Sequence, residues 1–122
     1  MKTIKVSEAT KIQLDWLVAK LTEAKVTLDT SLPCYPLLVI EGEEDQVDDF
    51  YAGYSPSTDW SQGGPIIERE RIAVQSPNDK GWYATDYMFK TYESGPTPLI
   101  AAMRCYVTSK LGETVEIPKG LL

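Results

Sequence analysis

Apolar residues recur at the spacing of one helical face near the N-terminus of the chain. These positions are Leu14, Leu17, Val18 and Leu21. The pattern predicts a helix over about residues 8–24 with Ser7 as its N-cap, because a Ser oxygen accepts an unpaired amide of the first turn. Lys11, Asp15 and Lys20 fall on the opposite side, so we expect these three side chains to face solvent.

A second helical stripe lies near the C-terminus. Its apolar residues are Leu99, Ile100, Met103, Val107 and Leu111. Thr97 can cap this helix, and Pro98 fits its first position, where no amide hydrogen bond is lost. Gly112 is a typical residue at which a helix ends. The pattern therefore predicts a helix that begins at Pro98 and ends before Gly112.

Shorter apolar runs predict strands between and after the helices. Residues 26–32 and 37–40 are rich in β-branched and apolar side chains, which favour extended structure. Alternation on either side of the turn sequence SPNDKG predicts a hairpin with strands near 71–76 and 81–89. Residues 114–117, TVEI, predict a last strand that closes the sheet.

These elements fit one domain over residues 1–122, since this length supports a single hydrophobic core. Two amphipathic helices need a surface on which to bury their apolar stripes. The predicted fold class is therefore α+β, or an α/β sandwich, with a small sheet of three to five strands packed by the N-terminal and C-terminal helices.

Composition excludes several classes of protein. The longest apolar run, PLLVI at residues 36–40, is far shorter than the ~20 residues of a membrane helix. The charged N-terminus lacks the apolar segment of a signal peptide. We therefore expect no membrane association and a cytoplasmic protein.

The net charge of −6 comes from one segment. Residues 41–49, EGEEDQVDD, hold six acids and no base, and the other 12 acids equal the 12 bases. No basic stripe is present to contact phosphates, so we expect no nucleic acid partner. The segment lacks the spacing of a calcium loop, which leaves a solvated loop or a surface for a basic partner.

Histidine is absent, which excludes Ser/His/Asp and Cys/His catalysis and the usual zinc ligands. Cys34 and Cys105 are expected to be buried free thiols, since a disulfide is rare in a reducing compartment. A magnesium site at Asp59, Glu68 and Glu70 is disfavoured, because residues two apart on a helix point in different directions. We expect no metal, no cofactor and no enzymatic activity.

The densest polar stretch is YSPSTDWSQGGPIIERERI at residues 54–72. Gly63 and Gly64 are expected to end a first turn, and Pro65 to begin a new helix. The free amides of Gly63, Gly64, Ile66 and Ile67 would then favour an anion. The same sequence is also ordinary turn chemistry, so a purely structural turn is the alternative.

Side chains in this stretch have the mixture that small-molecule pockets use for stacking and orientation. The candidate ligand-binding residues are Ser57, Thr58, Asp59, Trp60, Gln62, Gly63 and Gly64, with Arg69 or Arg71 as counter-charge.

Three blocks of the chain resemble NinX, an accessory protein of lambdoid temperate phages. They are IQLDWLVAKL at residues 12–21, YSPSTDWSQGGPIIERERI at 54–72 and SGPTPLIAAMRCYVTSKLG at 94–112. More distantly, the chain is similar to small phage α-β-α sandwich domains. The resemblance implies a phage protein made during infection, absent from the virion and located in the host cytoplasm. It supplies no catalytic residues.

Two functional hypotheses follow. The first is a non-catalytic binding module for a small anionic or nucleotide-like ligand, such as a host defence signal that the phage counteracts. The alternative is interaction with a host protein through the acidic segment 41–49 and exposed aromatic residues. The small size and many aromatic residues also favour a homo-oligomer whose loop at residues 55–72 lies at a subunit interface.

Overall fold

The computed structural model describes residues 1–29, 37–40 and 53–122. Within these ranges the chain forms three α-helices, seven short strands and two single 3₁₀ turns. The helices are α1 (Lys11–Thr22), α2 (Trp60–Glu70) and α3 (Pro98–Leu111). The strands are β1 (Lys2–Lys5), β2 (Val26–Asp29), β3 (Leu37–Ile40), β4 (Ala73–Gln75), β5 (Trp82–Thr85), β6 (Tyr92–Gly95) and β7 (Thr114–Ile117), and the 3₁₀ turns are Val6–Glu8 and Lys119–Leu121. The predicted α+β class is confirmed.

In the described part of the chain, the strands form three separate antiparallel sheets. One contains β4, β5 and β6 in that order, and the others are the pairs β1–β7 and β2–β3. The predicted strand at 114–117 is present, but it pairs with β1 at the N-terminus and not with the three-stranded sheet. Sequence alone predicted one strand over residues 81–89. In the structure β5 ends at Thr85, the chain then turns, and β6 follows this turn.

Helix α3 is the centre of the core, as its apolar stripe predicted. It packs against β5 and β6 on one side and α1 on the other. Thr97 Oγ1 accepts a 3.2 Å hydrogen bond from the Ile100 amide, Pro98 occupies the first position, and Gly112 adopts a φ of 92° after the last turn. Cys105 on this helix is a buried free thiol, as predicted.

Helix α1 starts three residues later than predicted. Ser7 lies in the 3₁₀ turn before it, and Thr10 is the N-cap. The Gln13 side chain accepts a 3.0 Å hydrogen bond from the Thr10 amide, which satisfies a donor at this end of the helix. Asp15 was expected to face solvent, and this prediction is wrong, since the residue is only 4% exposed.

Helix α2 is continuous, so the predicted break at Gly63–Gly64 and new start at Pro65 are wrong. The helix begins after Asp59, whose carboxylate accepts a 2.9 Å hydrogen bond from the Ser61 amide. Pro65 lies inside the helix. Gly64 makes this possible, because it has no Cβ to clash with the proline ring. The amides of Gly64, Ile66 and Ile67 thus lie within the helix and are not a free anion-binding group.

None of the helices in the described part of the chain is long and apolar enough to cross a membrane. The acidic segment 41–49 and Cys34 lie outside the described residues.

Candidate functional site

Polar groups of the loop before α2 bond to the protein itself. The Gln62 side chain accepts a 2.6 Å hydrogen bond from the Ser55 amide and donates a 2.9 Å bond to the Gly53 carbonyl. Thr58 Oγ1 donates a long 3.4 Å bond to the Ser55 carbonyl. These contacts hold the loop against the first turn of α2, and the Gln62 side chain forms two of them.

Ser57, which belongs to this loop, is fully buried. Its amide donates a 2.8 Å hydrogen bond to Asp15 Oδ1 on α1. The Ser57 hydroxyl has no hydrogen-bond partner among the described residues. Burial raises the pKa of the Asp15 carboxyl to about 6, because the loss of solvent outweighs the Ser57 hydrogen bond and the Lys11 charge.

Gly63 is needed for packing. A Cβ on this residue would collide with the carbonyl oxygen of Pro56 and lie 2.6 Å from Leu99 Cδ2. At the neighbouring Gly64, a Cβ would have no described residue within 4 Å apart from its chain neighbours and the backbone of its own helix. Gly63 therefore allows the close approach of α2, its preceding loop and α3.

The structure does not bring all the predicted ligand-binding residues into one site. Ser57 to Gly64 lie around the N-terminal end of α2, whereas Arg69 and Arg71 lie at its C-terminal end. The helix has 11 residues, so its ends are about 16 Å apart. Arg69 Nε pairs with Glu70 Oε2 at 3.0 Å, and Arg69 Nη2 donates a 3.3 Å bond to the Tyr106 hydroxyl.

The same geometry separates the carboxylates considered for magnesium. Asp59 caps the start of α2 and Glu70 is its last residue, so one ion cannot contact both. Within the described residues, no three His, Cys, Asp or Glu side chains are grouped to hold a metal ion.

The turn that joins β5 to β6 carries a row of exposed large apolar side chains. This 86–90 turn carries Tyr87, Met88 and Phe89, which are 58%, 61% and 79% exposed. All three are consecutive. The cost of leaving such side chains in water is considerable, since burial of one stabilises by roughly 1.5–3 kcal/mol.

Hydrogen bonds to Asp86 hold the 86–90 turn together. Asp86 Oδ1 accepts hydrogen bonds from the amides of Lys90 at 2.7 Å and Thr91 at 3.3 Å. The Phe89 amide donates a 3.0 Å bond to the Asp86 carbonyl, and Phe89 adopts the left-handed φ of 56°. A bulky residue rarely adopts this conformation, and such strain is concentrated at functional sites.

The outer face of the three-stranded sheet adjoins this turn. Ala84 and Glu93 point inward, since Ala84 is buried and Glu93 Oε2 accepts a 3.4 Å hydrogen bond from Thr108 on α3. The alternate positions form the outer face and are uncharged: Ala73, Gln75, Tyr83, Thr85, Tyr92 and Ser94. Tyr83 and Tyr92 stack with ring centroids 5.3 Å apart.

Sequence reasoning placed residues 81–89 in one strand and so missed Met88. A signal was present in the segment TDYMFKT, where three large apolar residues stand in a row and cannot all face the core of an alternating strand. Asp86 at the start of that run is a residue type that favours turns by accepting nearby amides.

Comparison with known families identifies the family of this chain. The family model described as bacteriophage P22, NinX matches residues 5–110. The match includes α1, α2, the 86–90 turn and nearly all of α3. It confirms the resemblance that the three sequence blocks indicated. A search of curated proteins gave no match.

Proposed function

Because this chain belongs to the NinX family of bacteriophage P22, we propose that it is a non-catalytic phage accessory protein that binds a host protein in the host cytoplasm. The 86–90 turn, together with the outer face of β4–β5–β6, forms the proposed contact surface. The observation that carries the proposal is the row of three exposed apolar side chains on a turn that hydrogen bonds to Asp86 hold together.

Large apolar side chains at the centre of an interface supply most of its binding energy. Tyr87, Met88 and Phe89 protrude from the end of a hairpin and could insert into a pocket of a partner. Hydrogen bonds to Asp86 already order the turn, so less conformational entropy is lost on binding. Phe89 holds its strained φ in the unbound chain, which favours a turn shaped for a contact.

The outer face has the composition of an interface centre. Such centres are depleted in charge and enriched in tyrosine. Six neighbouring positions without a charge contrast with a chain in which 25% of residues are charged. Tyr83 and Tyr92 expand the contact area beyond the turn itself.

A protein partner fits this surface better than a small ligand does. Tyr87, Met88 and Phe89 of the 86–90 turn are all more than half exposed, whereas a small molecule needs a site that surrounds most of its surface. At the other candidate position, Ser57 is buried, Gln62 bonds within the loop and Gly63 is packed against Pro56. The acidic segment 41–49 stays a predicted second contact.

Site-specific photo-crosslinking during infection tests the proposal. A photoreactive benzoylphenylalanine would replace Phe89, and the matched control would carry it in place of Trp60, an exposed aromatic on α2. We expect a discrete crosslinked protein from position 89 and none from position 60. Competition by an excess of unlabelled wild-type chain should remove the adduct.

Two outcomes would contradict the proposal. Equal, diffuse crosslinking from both positions would show that position 89 has no specific partner. A discrete adduct from position 60 alone would instead place the contact surface at the start of α2. It would favour the loop at residues 55–64 as the binding site.

A further inference from the structure

A cavity lies directly beside the 86–90 turn, between the C-terminal ends of α2 and α3. Its volume is about 380 Å³. Helix ends supply the charged part of its wall, and the turn supplies an apolar part. The lining residues are Arg69, Glu70, Arg71, Ile72, Asp86, Tyr87, Met88, Ser109 and Lys110.

Cations outnumber available carboxylates in this wall. Glu70 is shared, since its two oxygens bind Arg69 Nε at 3.0 Å and Lys110 Nζ at 3.1 Å. Burial alone would raise the pKa of Glu70, but the hydrogen bonds from both cations lower it. Asp86 directs Oδ1 at the amides of its own turn. Two cations therefore share one carboxylate.

Arg71 is the third cation of the wall. Its guanidinium carbon lies 5.3 Å from the centroid of the Tyr87 ring, a cation–π contact that positions the group without neutralising it. Arg71 forms no ion pair with any residue that the structure describes. The carbonyls that end α2 and α3 favour nearby cations, which explains the positions of Arg69 and Lys110. Arg71 differs from these two, because its side chain extends away from the helix ends to Tyr87 of the turn.

We propose that this cavity binds a carboxylate side chain of the partner protein. The partner would then present Asp or Glu next to the apolar residues that contact Tyr87 and Met88. Arg71 supplies a planar pair of donors, the geometry that matches a carboxylate. Local positive charge on a chain with a net charge of −6 selects an acidic segment at this position. The inference rests on the proposed function and adds the chemistry of the partner.

An NMR titration of the ¹⁵N-labelled full chain at low salt tests this inference. The probe is a six-residue peptide that alternates leucine and glutamate, and the matched peptide has glutamine in place of glutamate. We expect amide shifts at residues 69–72, 86–88 and 109–110 with the glutamate peptide. Its affinity should exceed that of the glutamine peptide about tenfold, the effect of one charge-assisted contact.

Arg71→Gln should weaken binding of the glutamate peptide about tenfold, for the same reason. Lys80→Gln is the matched control, because it removes one exposed positive charge from the β4–β5 turn but not from the cavity wall. We expect this control to change affinity less than about twofold, since exposed charges at a distance are screened. The spectrum of each variant also reports whether it is folded.

Equal affinity for both peptides, shifts located elsewhere, or an unchanged affinity of Arg71→Gln would overturn the carboxylate site. If the titration gave such a result but position 89 still formed a discrete crosslink, the carboxylate site would be wrong and the proposed binding of a host protein would be retained. Loss of the crosslink together with specific glutamate binding would instead overturn the proposed protein partner and leave a carboxylate site.

Discussion

The amide of Ser57 donates a 2.8 Å hydrogen bond to the carboxylate of Asp15, across 42 residues of sequence. Both residues are buried. The bond attaches the loop before α2 to the middle of α1. The contribution of this bond to stability depends on whether Asp15 is ionised, so the stability of the protein should depend on pH.

Asp15 should make the protein more stable in mild acid than at neutral pH. Its pKa is raised from 3.8 to about 6 by burial, so the folded state binds a proton more tightly than the unfolded state does. This contribution is fully present below pH 3.8 and is lost as pH rises through about 6. Its size is about 3 kcal/mol, since each unit of pKa corresponds to 1.36 kcal/mol.

Asp15→Asn should flatten this dependence, because Asn keeps an acceptor for the Ser57 amide without a buried charge. We expect equal or greater stability than wild type at pH 7.5, measured by urea denaturation across pH 4–8. Asp79→Asn, which removes an exposed carboxylate in the β4–β5 turn, is the control and should follow the wild-type curve. An Asp15→Asn curve parallel to wild type would show that another group carries the dependence.

Gly63→Ala should destabilise the chain by about 1–3 kcal/mol, the usual cost of overpacking. The new methyl group meets the Pro56 carbonyl and Leu99, and this clash outweighs the better helix propensity of Ala. Denaturation at one fixed pH measures the change.

Gly64→Ala is the matched control, with the same substitution one residue away. Among the described residues, no atom outside the chain neighbours and the backbone of its own helix lies within 4 Å of its added Cβ. The gain in helix propensity is opposed by the clash before Pro65, so we expect a change within about 1 kcal/mol. Equal losses for both variants would mean that the approach of α2 to Pro56 is not tight.

Phe89→Asn should stabilise the fold by about 0.5–1 kcal/mol, because Asn tolerates the left-handed conformation that strains Phe89. The same change removes the most exposed large apolar side chain of the described residues, so crosslinking from a photoreactive group at Tyr87 should fall. Phe89→Leu keeps the strain and an apolar side chain and should retain both wild-type properties. A Phe89→Asn variant less stable than wild type would show that the turn is not strained.

Arg104→Lys should cost about 1–2 kcal/mol, because one ammonium group cannot replace a planar fork. Arg104 Nη1 donates a 2.9 Å hydrogen bond to the Ser94 carbonyl, and Nη2 donates a 3.2 Å bond to the Ala9 carbonyl. These bonds connect α3 to β6 and to the segment before α1. Burial lowers the pKa of Arg104, and the charge of Glu93 opposes this effect.

Arg71→Lys is the control for this prediction, since no hydrogen bond from the Arg71 side chain to a carbonyl is found among the described residues. Its effect on the free energy of unfolding should stay within about 0.5 kcal/mol. Thermal denaturation of the two variants under one buffer gives the comparison. A loss at Arg71 as large as that at Arg104 would contradict the assigned role of the two carbonyl bonds.

Sequence alone specified the parts of this fold that depend on local patterns. The stripe from Leu99 to Val107, with Thr97 before it and Gly112 after it, determined α3 in both position and length. The turn SPNDKG determined the β4–β5 hairpin. The three sequence blocks identified the NinX family. Each of these signals lies within about 20 consecutive residues, so it needs no knowledge of distant contacts.

Tertiary structure decided what those local patterns left open. Asp15 lies on a polar helical face by its spacing, yet the loop at Ser57 covers it. Gly63 looked like a break, yet the approach of Pro56 and Leu99 makes it a packing position within a continuous helix. The meeting of Arg71, Tyr87 and Lys110 at one cavity joins three elements separated in sequence. Burial and side-chain neighbours depend on such long-range contacts, which no local periodicity encodes.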